Sequence, residues 1–268
     1  MGLGFWLPAA WLSLMVAAAA GAPWLPLADP FEMDLLDLSA RPGAEHWFGT
    51  DDLGRDMFSR AVHGARISLT VGLIAPLIAM TIGCALGITA GYFRGRWETY
   101  VQVYVDISLA FPGIVLLLLI VTYLGNSLLN ITVALGILIV PGYTRVSRAS
   151  TLTYTQREFV MAARALGAGH SRILLRQILP NVLWPVLAFS FVLIALVIVL
   201  EGVLSFLGLG VPHPAPSWGS MIADGRELLS EAPHVSFIPA GVMFLTVLSI
   251  NLVGDTVRRL SDARQSVL

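Results

Sequence analysis

The chain has 268 residues, 56% hydrophobic and 12% charged, with a mean hydropathy of +0.79. A soluble domain is about a quarter charged, so a water-soluble globule is excluded. A net charge of −1 leaves no basic face for nucleic acid, and the single cysteine, Cys84, excludes an intrachain disulfide and a thiolate metal cluster.

The apolar residues gather into six blocks long enough to cross a bilayer, which predicts an all-α, polytopic membrane protein. The first block covers about residues 4–27. It has no basic leading region and is too long for a secretory leader, so it reads as a retained first helix. Residues 29–66 are polar and acidic. Within them Gly49, Thr50 and Asp51 have turn and N-cap chemistry. From Leu53 onward, Met57, Phe58, Ala61 and Val62 recur at helical spacing, with Arg55, Asp56, Ser59 and Arg60 mainly on other sides. That pattern predicts an interfacial amphipathic helix feeding the second span. The chain thus divides into 1–66, the first helix plus an outer segment, and 67–268, a five-span core.

The second span covers about residues 67–93 and ends at the turn Arg94, Gly95, Arg96. The third covers about 99–123, and Gly125 and Asn126 turn the chain into a fourth, about 128–146. Pro112 in the third and Pro141 with Gly142 in the fourth are expected to bend or loosen those helices. The fifth span begins near Pro180 and runs to about 206. A polar stretch, 207–233, is broken by Pro212, Pro214 and Pro216, and Trp218 within it suits a membrane interface. The sixth span is about 235–257, followed by a tail ending in Leu268.

Between the fourth and fifth spans lies an arginine-rich loop carrying Arg145, Arg148, Arg157, Arg164, Arg172 and Arg176. Placing it on the cytoplasmic side puts eleven arginines inside and five outside, with both termini cytoplasmic. The reverse topology would expose most positive charge on the wrong face. Inside the loop, Glu158 to Leu166 is alanine-rich and is closed by Gly167. About two or three turns of helix are too few to be stable alone, so a partner surface is expected to hold it. Ala162, Ala163 and Ala165 are small enough to let that partner approach the backbone.

Two acids, Asp106 and Glu201, fall within spans. Each must face protein or water, because an ionised acid against lipid costs about 3 kcal/mol or more. Either they line a translocation path, with Glu201 receiving a cationic group, or they bond across helices. No pair of histidines has metal-ligand spacing, so no metal site is expected. A phosphate-binding Gly-x-x-x-x-Gly-Lys loop is absent and the chain lacks lysine altogether. No nucleophile–base constellation stands out either, so the chain is not expected to be an enzyme.

The loop resembles the cytoplasmic EAA loop of ATP-binding-cassette importer permeases. Ala162, Ala163, Gly167, Ile178, Leu179 and Pro180 match that pattern; Met161 stands where it has Glu, and Glu158 lies one turn earlier. Three further stretches resemble one subgroup, the second permease of dipeptide, oligopeptide and nickel importers. They are Gly49, Thr50, Asp51, Gly54, Arg55 and Asp56; the run Leu204 to Gly210 with Ser217, Trp218 and Gly219; and Asn251 to Asp255.

The resemblance implies a type I importer permease fold in a bacterial inner membrane. It implies that Glu158, Ala162, Ala163, Arg164, Ala165, Leu166 and Gly167 couple to an ATPase. It also implies the partners: a homologous permease, two ATPase subunits or domains that bind ATP and Mg, and an extracytoplasmic solute-binding protein. This chain itself would hold no cofactor. Short peptides are the expected cargo, with nickel chelates or other small solutes as the alternative. A different class, an ion-gradient-driven secondary transporter or a membrane scaffold, would call for an internal repeat or another architecture; the six spans show no convincing repeat.

Overall fold

The computed structural model describes residues 2–265. The end of the expected tail, through Leu268, lies outside the described residues, as does the side chain of Arg264. The helices are α1 (Leu3–Gly21), α2 (Met57–Phe93), α3 (Gly95–Ala110), α4 (Gly113–Leu124), α5 (Leu128–Tyr154), α6 (Glu158–Ala165), α7 (His170–Ile173), α8 (Leu179–Phe206), α9 (Trp218–Asp224) and α10 (His234–Gln265). One π-helical turn, Leu174–Ile178, joins α7 to α8. Among the described residues, five helices are long and apolar enough to cross a membrane, and six if the bent pair α3–α4 counts as one span.

Two compact units are each assembled from three stretches of chain. Residues 1–74, 118–132 and 194–253 form the first. Here α1 is tied to α10 by the Trp11 indole N–H, which donates to the Thr246 hydroxyl at 3.1 Å. The helix expected from Leu53 begins instead at Met57, because Asp56 is the residue that caps it. The Asp56 carboxylate accepts the Ser59 backbone N–H at 2.7 Å, the bond a freed first-turn donor needs. From there α2 runs unbroken for 37 residues, so the amphipathic stretch and the second span are one rod; the sequence-based division at residue 66 falls inside it. Helix α8 ends at Phe206, where Leu209 N–H reaches Leu204 C=O at 2.8 Å and Gly208 N–H reaches Ser205 C=O at 3.0 Å. That is a Schellman stop, with Gly208 supplying the left-handed residue.

Residues 75–117, 133–193 and 254–268 form the second unit. Its organising contact is between α2 and α5. Gly83, Gly87 and Gly91 recur every fourth residue, on one face of α2. A methyl group on each would lie 2.5 Å from Tyr143 Cβ, 2.0 Å from Ser147 Oγ and 3.0 Å from Arg148 O respectively. Small residues at this spacing let two membrane helices approach backbone to backbone. The Ser147 hydroxyl uses that proximity to donate to Gly83 C=O at 3.1 Å. Across from it, the Tyr143 hydroxyl donates to Ser190 Oγ at 2.9 Å.

The prolines act differently from one another. At Phe111 and Pro112 the third span breaks, and α3 and α4 meet at 88°. Pro112 sits at the head of α4, where its carbonyl accepts Val115 N–H at 2.9 Å and its missing N–H costs nothing. Pro141, by contrast, is carried inside the continuous α5.

Candidate coupling surface and pathway residues

The predicted short helix is present as α6, one residue shorter than the sequence run, with Leu166 as its C-cap. Arg157 enters it in an extended conformation. Glu158 lies in the first turn and Arg164 in the last, each matched in sign to the helix dipole. The stop is again a Schellman motif: Ala168 N–H to Ala163 C=O and Gly167 N–H to Arg164 C=O, both 3.0 Å. Gly167 has φ +79°, a conformation that a Cβ disfavours.

One side chain anchors this helix. Val160 is fully enclosed, whereas Met161 is 54% and Leu166 87% exposed, and Ala162 and Ala165 stand open beside them. Arg164 lies over the Tyr92 ring, 6.0 Å from its centroid, and the Tyr92 hydroxyl is 2.8 Å from His170 Nδ1. The base of α6 is thus pinned to the end of α2, and its apolar outer face is left without a partner. Exposed apolar side chains gathered on a short helix mark an interaction surface.

The two acids in the spans have opposite surroundings. Glu201 is fully buried in the first unit, accepting from Ser205 Oγ at 3.0 Å and from Ser68 Oγ at 3.3 Å. Ser68 Oγ also accepts the Trp218 backbone N–H at 3.2 Å, so one hydroxyl links α2, α8 and α9. Asp106, in the second unit, is 3.2 Å from an Arg145 guanidinium nitrogen, with both side chains open.

A family model described as the inner membrane component of binding-protein-dependent transport systems matches residues 83–267. Glutathione transport system permease proteins from strains of Escherichia coli and from Shigella flexneri are 40% and 41% identical over 254 residues, covering 94% of this chain and 83% of theirs. The chain belongs to this family of importer permeases. The solved inward-facing MetNI methionine ABC transporter shares the fold, with a TM-score of 0.64 and 19% identity over 76% of this chain and 97% of that one.

The permease is therefore a multi-pass inner-membrane protein of the type I importer fold, and the resemblance to the peptide-importer class holds. Membership implies an ATPase and a solute-binding protein as partners.

In this permease the Gly-Thr-Asp and Gly-Arg-Asp residues do structural work that sequence spacing did not show. Arg55, Ser59 and Arg60 were expected on a polar face, yet they are 3%, 0% and 1% exposed. Pairing makes their burial tolerable. Asp51 Oδ2 is 2.7 Å from Arg55 Nε and 3.2 Å from Arg60 Nε, while its other oxygen accepts the Leu53 and Arg55 backbone N–H groups at 3.0 Å. A second carboxylate, Asp224, lies 3.9 Å from Arg55 and 3.7 Å from Arg60. Burial pushes the Asp224 carboxyl above the usual carboxylate range, against the pull of His213, Arg60 and Arg55. Gly54, at φ +75°, passes so close to Asp34 that a methyl group would sit 1.8 Å from its carbonyl oxygen.

Trp218 is fully buried, and its indole N–H donates to Ala61 C=O at 3.0 Å. A serine capping box, Ser217 with Ser220, holds it at the start of α9. The sequence signal available for this role was the adjoining Gly219, whose Cβ would lie 2.5 Å from Gly202 Cα.

Proposed function

We propose that this permease is the translocating subunit of an ATP-driven importer of short peptides and peptide-like solutes. It works with a homologous permease, two ATPases that bind ATP and Mg, and an extracytoplasmic solute-binding protein. Both termini and the loop bearing α6 face the cytoplasm, in keeping with the arginine bias. The relatives are named for glutathione transport, and glutathione is a modified tripeptide, which favours a peptide-like cargo over a metal chelate.

The observation that carries this reading is the exposed apolar face of α6, set on the single buried anchor Val160. Met161, Ala162, Ala165 and Leu166 offer a partner apolar contact at little desolvation cost, while the small alanines admit close approach. When the ATPases close on nucleotide, a helix seated in them transmits the movement through Tyr92 and the π-helical turn to α2 and α8. Hydrolysis resets it. Glu201 serves in this scheme as a tie between helices, and Asp106 as a contact on the path.

The test is uptake by the reconstituted complex with Leu166→Asp. A buried unpaired charge in the docking groove is expected to cut dipeptide uptake by about tenfold or more and to abolish stimulation of ATP hydrolysis by the binding protein. Unchanged uptake and stimulation would remove α6 from the coupling path.

A further inference from the structure

Two ion pairs join α3 to α5, and they differ in one respect. In Glu98–Arg148 both side chains are largely enclosed, at 19% and 25% exposure, and Arg148 Nε donates to Glu98 Oε1 at 2.9 Å. In Asp106–Arg145 the two are 69% and 61% exposed. Asp106 lies in the bent pair Gly95–Ala110 and Gly113–Leu124, whose length and hydropathy suit a membrane crossing, and Arg145 meets it from the arginine-rich half of Leu128–Tyr154. Charges this open cannot face hydrocarbon without a cost of about 3 kcal/mol or more each.

An independent feature excludes lipid from the same neighbourhood. Five residues beyond Asp106, Phe111 leaves the helix for an extended conformation, φ −78° and ψ 137°, and is itself 60% exposed. Backbone that departs from helix at membrane depth survives only against protein or water, because its polar groups lose their intrahelical partners.

We propose that Asp106 and Arg145 form a charged subsite on the water-filled translocation path, taking a solute that carries both an ammonium and a carboxylate group. The inference rests on the peptide-importer reading above and names what in this chain meets the cargo. In the empty path the two residues neutralise each other at 3.2 Å. A zwitterion replaces each partner with one of the same sign: its ammonium donates to Asp106 and its carboxylate accepts from the planar guanidinium of Arg145. No charge is left unpaired during the exchange. A solute with a single charge would pair with one residue and leave the other without its partner.

The complete transporter in proteoliposomes provides the test, with two readouts. In a Cys84→Ser background, Asp106→Cys is exposed to a membrane-impermeant methanethiosulfonate during ATP turnover. Modification is expected; no modification at any stage of the cycle means the position is sealed against another chain and overturns the proposal. Uptake of dialanine is then compared with uptake of N-acetyl-dialanine amide. Asp106→Asn and Arg145→Gln are each expected to lower dialanine uptake by about tenfold and capped-peptide uptake by less than about twofold. Asp106→Glu and Arg145→Lys should retain dialanine uptake, and stimulated ATP hydrolysis within about twofold of the unsubstituted complex shows that the variants fold and assemble. Equal losses for both solutes, or no loss, overturn the subsite alone. Uptake of neither solute by the unsubstituted transporter overturns the peptide reading, and the zwitterion subsite with it.

Discussion

The region around Asp51 and the region around α6 dispose of charge and apolar surface in opposite ways. Around Asp51, two arginines and two carboxylates are drawn together, and two backbone donors of the segment are turned onto Asp51. Around α6, one valine is enclosed while a methionine and a leucine face outward. The first region pairs its charges within the chain. The second leaves apolar surface open. A charge-rich motif is therefore a structural keystone here, and a bland alanine-rich motif is the one proposed to dock, the reverse of what residue type alone suggests.

Substitutions can break this contrast in order of size. Asp51→Ala leaves Arg55 and Arg60 buried without their shared carboxylate, which is expected to cost about 3–5 kcal/mol and show as a large fall in the thermal midpoint of the purified permease. A loss below about 1 kcal/mol would mean that the cluster does not hold the segment. Next comes Gly167→Ala. A methyl group there meets nothing within 4 Å, so the cost is conformational, about 1–2 kcal/mol, and confined to the end of α6. Hydrogen exchange over residues 158–168 should rise while the rest of the chain keeps its protection. The smallest effect on stability is expected for Met161→Ser, within about 0.5 kcal/mol. Its signature is a weakened response of ATP hydrolysis to the binding protein, and a stability loss as large as that of Asp51→Ala would erase the distinction between the two regions.

The helical spans were legible because bilayer-length apolar blocks have few other readings, and α6 was legible because Gly167 announces its end. The start of α2 was misplaced by four residues. Thr50, Asp51 and Asp56 all have N-cap chemistry, and only the fold shows that Thr50 and Asp51 are committed elsewhere: the Thr50 hydroxyl bonds the Asp37 carbonyl and Asp51 takes the arginines. Pro112 and Pro141 could not be ranked from sequence. A proline breaks a span where it can head a new helix, and is carried where the helix around it stays packed. The Asp224 contribution to the charged cluster was invisible because its partners are more than 160 residues away in sequence. Burial of Arg60 was hidden for a related reason: periodicity sorts residues by polarity, and a paired arginine sits in the interior as if it were apolar.

The glycine row on α2 has a mechanical corollary. With no side chain on the α2 side of the seam at Gly83, Gly87 and Gly91, only the side chains of α5 fill it and few rotamers are left to readjust. Such a seam is closed or it is apart. A displacement of the end of α2 would then carry the adjoining stretch of α5 with it as one stiff body. Compliance in this unit is expected at the π-helical turn before Pro180, where the backbone ladder is already loosened.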